Sequence, residues 1–191
     1  ETIDGKPYKI PFVDNLVMRT IGDSQTRLAA FRTGKIDVMP NINWDELKSL
    51  APIQDKIKVI EHPDYAGEAL AMRVDAPPFD NQKVRLALNL AVDRAAISKQ
   101  IYGGHADFPH LPMDETWEGY FTPPEKMPNE AREVLQYDPA KAKKLLAEAG
   151  LANGFEFKAQ VPSFPEQLKK AQIVAGYLSA IGVKMTIEPK E

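Results

Sequence analysis

The stretch PPFDNQKVRLALNLAVDRAAISKQIYGG, residues 77–104, decides how this chain folds. Pro77 and Pro78 end whatever precedes them, and Asn81 supplies a helix-capping side chain. Val84, Ala87, Leu88 and Ala91 then recur at i, i+3, i+4 and i+7, one apolar face of a helix. Leu86 and Leu90 fall on a second face, so the helix is expected to be buried on two sides. Asp93 can start a new turn, and Gly103-Gly104 stops the run.

A second signal follows in YDPAKAKKLLAEAG, residues 137–150. Asp138 caps, Pro139 takes the first helical position, and Ala142, Leu145, Leu146 and Ala149 form the core stripe before Gly150. Upstream, Asp23 or Ser24 caps a helix ended by Gly34, and residues 43–50 suit a short helix. Ser163 and Glu166 have the spacing of a capping box for a long helix reaching Ile181. Strands are expected at 16–21, 36–39, 57–61, 69–74, 155–161 and 183–187. Residues 104–136 show no sustained period. Strands alternating with helices point to an α/β fold, a mixed or mostly parallel sheet flanked by helices.

Those two helices, in that order and spacing, resemble family 5 of the extracellular solute-binding proteins, the peptide, nickel and oligosaccharide receptors of ABC importers. The resemblance continues in DSQTRLAAFRTGKIDVMP (23–40), in GEALAMRVDAPPFD (67–80) and in IGVKMTIEP (181–189). It spans nearly the whole chain. Arg73 departs from the Asn that many members carry before the Pro-Phe-Asp turn.

The resemblance implies a periplasmic-binding-protein-like (type II) fold. It also implies a longer, two-lobed protein, of which residues 1–191 would be a single α/β lobe, much of the second, with a long irregular segment at about 104–136. It implies an extracytoplasmic location, in the periplasm or lipid-anchored at the outer face of the membrane. The receptor would be a monomer whose partners are a peptide or oligosaccharide and the membrane permease subunits. Without the other lobe, the fragment is expected to bind ligand poorly.

Composition bounds what the chain can be. The 191 residues are 43% hydrophobic, enough for one buried core, and carry a net charge of −3 with both signs interspersed. No basic field is present for nucleic acid or anionic membrane. No stretch approaches the ~20 apolar residues that span a bilayer. Cysteine is absent, which excludes disulfides, thiol nucleophiles and thiolate metal sites.

Chemistry-bearing clusters are few. His105, Asp107 and His110 have metal-ligand side chains, and a metal-dependent hydrolase using them is one alternative. Their spacing matches no established zinc motif, and an exposed polar loop explains them as well. The chain has no G-x-S-x-G and no phosphate-binding glycine loop. No cofactor and no enzymatic activity are expected. A ligand-sensing domain of a regulator would keep the fold and change the task.

In open α/β sheets ligands bind beyond the carboxyl ends of strands. That rule selects Ser24 and Gln25 at one turn, and Asn41, Asn43 and Trp44 at another. Trp117 and Tyr120 lie outside any core pattern and can supply flat, amphipathic walls. These seven residues are the expected ligand-binding set.

Overall fold

A computed structural model describes residues 2, 3, 5–7, 9, 11–61, 68–106 and 119–191. The chain divides into two compact units, Glu1–Ile60 and Glu61–Glu191.

The first unit opens with β1 (Thr2–Ile3) and β2 (Lys6–Pro7), antiparallel, with Ile3 opposite Lys6. Helix α1 (Ser24–Arg32) starts where Asp23 accepts from the Thr26 N–H at 2.7 Å. Helix α2 (Trp44–Ser49) is shorter and runs into a 3-10 turn at Ala51–Lys56. A guanidinium bond from Arg32 Nη2 to the Ser49 carbonyl, 2.7 Å, joins the C-terminal ends of the two helices. Among the described residues of this unit, Leu28 and Leu50 are the buried apolar side chains.

The second unit carries the main core. Helices α3 (Gln82–Leu90) and α4 (Arg94–Tyr102) divide at Asp93, whose carboxylate accepts from the Ala96 N–H. The expected new turn at Asp93 is therefore present. Gly103 ends α4 with φ of 63°, a left-handed conformation that glycine adopts without strain. Helix α5 (Asn129–Glu133) and a 3-10 turn at Pro124–Lys126 follow. Next come α6 (Pro139–Glu148), β3 (Phe155–Pro162), α7 (Pro165–Ser179) and β4 (Val183–Lys190).

Strands β3 and β4 pair in parallel, Phe155 opposite Val183 and Ala159 opposite Ile187, with α7 as the crossover. Alternation puts Phe155, Phe157, Ala159, Val183 and Met185 against the helices. On the other face Lys184 pairs with Glu156 and Lys158 with Glu188, at 2.9 and 2.7 Å. Leu90, Leu146, Leu178, Val84 and Val183 are fully buried at the centre. Phe79 meets Phe155 and Phe157 edge-on, with ring centroids 6.0 and 5.3 Å apart.

Six expectations need correction, four of them strands. Residues 16–21, 36–39, 57–61 and 69–74 carry no ladder among the described residues. A strand forms only where a neighbour closes its hydrogen bonds. Leu16, Val17 and Met18 are 81, 73 and 88% exposed, an apolar run left uncovered by the described residues. Ser163 does not cap α7. The helix begins after Phe164, with Pro165 first, and the Ser163 N–H extends the sheet by donating to the Lys190 carbonyl at 2.9 Å. Finally, the segment expected to be irregular contains α5.

Candidate functional site

Two helix starts in the first unit carry five of the seven expected residues. Ser24 and Gln25 are the first two residues of α1. The Asp23 carboxylate sits at the same turn, taking the Thr26 N–H and, at 2.6 Å, the Thr26 hydroxyl. Those hydrogen bonds, from the hydroxyl first and the backbone second, hold the Asp23 pKa below its ordinary value. An ionised carboxylate therefore offsets the positive end of α1. This turn suits a neutral carbonyl or hydroxyl better than an anion.

Asn41, Asn43 and Trp44 lie together at the start of α2. Asn41 has φ of 55°, a left-handed conformation that asparagine tolerates better than most residues. Asn43 is the N-cap. Its Oδ1 accepts from the N–H groups of Asp45 and Glu46 at 3.1 and 2.9 Å, and its own N–H donates to Glu46 Oε2 at 3.1 Å. This capping box explains why Glu46 is buried at 7% exposure. The Asn43 oxygen is therefore occupied locally. Trp44 is half-buried.

Tyr120 belongs to the second unit and is 75% exposed. Trp117 lies outside the described residues, as do Asp107 and His110. His105 Nδ1 is 3.3 Å from Glu61 Oε1. Among the described residues no group of three or more His, Cys, Asp or Glu converges as a metal site.

Sequence reasoning missed one cluster, centred on Lys170 of α7. Its ammonium meets Glu68 and Glu166 at 2.6 and 2.8 Å. The Glu166 pair is visible in the sequence as an i, i+4 spacing. Glu68 lies 102 residues away, and no local pattern signals it.

A family model described as bacterial extracellular solute-binding proteins, family 5, middle region, matches residues 6–191. The chain belongs to that family. Among family relatives, the heme-binding protein A of Haemophilus influenzae is 33% identical over 177 residues, 90% of this chain and 31% of that protein. A glutathione-binding protein of Pectobacterium atrosepticum is 31% identical over 179 residues, 93% of this chain and 33% of that one. Among solved structures, the periplasmic binding protein DppA of Helicobacter pylori, in complex with the peptide STSA, is similar with a TM-score of 0.72. It is 30% identical and covers 91% of this chain and 32% of that one. The fold is thus that of a type II periplasmic-binding-protein fragment. The chain spans about a third of the length of the curated relatives it matches. Each of these relatives is named as a binding protein and not as an enzyme. Among the described residues no helix is long and apolar enough to cross a membrane.

Proposed function

We propose that this chain is part of an extracytoplasmic receptor that captures a short peptide and delivers it to ABC permease subunits in the membrane. The observation that carries the reading is the likeness, over nearly the whole chain, to a peptide-bound protein. Glutathione, named for another relative, is itself a small peptide.

The chemistry of the expected site agrees. A peptide backbone presents neutral N–H and C=O groups, and Ser24, Gln25, Asn41 and Asn43 offer neutral partners of both kinds. Trp44, Trp117 and Tyr120 would wall the side-chain spaces, with trapped water adjusting to different peptides. No bond is made or broken, and no cofactor is needed. In the full-length protein a cleft would close on the ligand by a hinge. The 191 residues alone would bind weakly, with the rest of the cleft absent.

A thermal-shift panel on the full-length protein tests this. Ligands that bind only the native state raise the midpoint in proportion to RT ln(1 + [L]/Kd). Di- to pentapeptides are expected to give a saturable shift. A shift with oligosaccharide or heme alone would reassign the ligand while keeping a receptor. A stoichiometric metal lost on His105→Ala, together with turnover, would replace the receptor with the hydrolase.

A further inference from the structure

In the second unit, one lysine on α7 gathers groups from three separate segments. The Lys170 side chain is only 12% exposed. Its ammonium lies 2.6 Å from Glu68 Oε1, 2.8 Å from Glu166 Oε1 and 5.2 Å from the ring centroid of Tyr102 on α4. Gln167 Nε2 donates to the same Glu68 oxygen at 2.9 Å. Burial works against the ammonium, yet bonds to Glu166, Glu68 and Tyr102 hold its pKa above the ordinary lysine value.

Residues 68–73 carry neither helix nor strand. No ladder secures them, so side chains must. Met72 packs against the core, and Glu68 is gripped at the other end. The unit boundary falls between Ile60 and Glu61, so this grip lies close to where the chain passes from one unit to the next.

We propose that Lys170 anchors residues 68–73 as a strap on the second unit, with Glu68 as the tether and Glu166 holding the lysine in position. The two carboxylates differ in what their loss does. Glu166 shares α7 with Lys170, so removing it leaves the tether intact. Glu68 belongs to the strap, so removing it frees the strap while the helix keeps its own ion pair. Glu68 is 48% exposed, so once released it rehydrates in place of remaining buried and unpaired. With the tether made, the strap moves with α4 and α7. With the tether broken, residues 68–73 lose that hold on α7. This device stands apart from the identity of the ligand.

Residues 1–191 contain no cysteine, so Ala71→Cys in the full-length protein, with any cysteine outside these residues replaced by serine, takes one nitroxide. Ala71 is exposed, which leaves room for the label. The electron-spin spectrum is expected to show restricted motion in the parent and in Glu166→Gln. Loss of the restricted component is expected in Lys170→Met and Glu68→Ala. Lys158→Met, which removes a pair on the far face of the sheet, controls for charge loss and is expected to leave the spectrum unchanged. Retention of the restricted component in Glu68→Ala would overturn the proposal. So would an equal loss in Glu166→Gln or Lys158→Met. If Lys170→Met does not fold, Glu68→Ala decides alone, because it leaves α7 and its ion pair in place.

Discussion

Alanine at Gly154 would place its methyl carbon 1.8 Å from the Gly182 carbonyl oxygen and 2.6 Å from the carbonyl carbon. Both neighbours are backbone, so no side chain can swing aside. Gly154 has φ of 75°, a region that costs an L-residue about 1–2 kcal/mol. Overlap relieved by backbone movement costs about 1–3 kcal/mol more. The sum, about 2–5 kcal/mol, falls on the start of β3 and β4, where Phe155 pairs with Val183. Hydrogen exchange of the β4 amides reads it locally. At a tenfold change per 1.4 kcal/mol, Gly154→Ala speeds exchange by roughly 30-fold to a few thousandfold. Gly176→Ala is the matched control. Gly176 lies inside α7 with nothing within 4 Å of a new methyl, so alanine there stabilises by about 0.5–1 kcal/mol. Unchanged β4 exchange in Gly154→Ala, or equal damage from both substitutions, would refute the close approach of the two loops.

Leu146→Ala opens a cavity in the fully buried core cluster and is expected to cost about 2–5 kcal/mol in urea unfolding. Asn43→Ala removes the cap of α2 and is expected to cost about 1 kcal/mol, read from the fluorescence of adjoining Trp44. The raised Lys170 pKa gives stability that is fully present below the unfolded value of 10.5 and is lost as pH rises through the higher folded value. The stability difference between parent and Lys170→Met is therefore expected to stay flat from neutral pH to about 10 and to shrink only in stronger alkali.

Helices were legible here because their punctuation is local. Asp23, Asn43, Asn81, Asp93 and Asp138 each cap the helix that follows them. Pro165 shows where a local pattern misleads. Proline at the first position moves the helix start past Ser163, and the serine serves the sheet instead. Strands depend on distant partners. The alternation in β3 and β4 was readable and found its neighbour. The apolar run at residues 16–18 reads as a strand, yet it has no neighbour among the described residues. The candidate site was legible as residue types at helix starts. What no sequence pattern showed was that the Asn43 oxygen is taken by its own helix, or that Asp23 sets the charge beside Ser24. Contacts across 102 residues, such as Glu68 with Lys170, leave no local trace at all.

Calorimetric titration of a tetrapeptide into the full-length protein, beside a Trp44→Ala variant, tests the receptor reading most directly. The account predicts a saturable isotherm with one peptide per chain, weakened about tenfold or more in the variant through loss of an aromatic wall. Absence of heat with any peptide, or binding indifferent to Trp44, would contradict a peptide receptor whose site includes the start of α2.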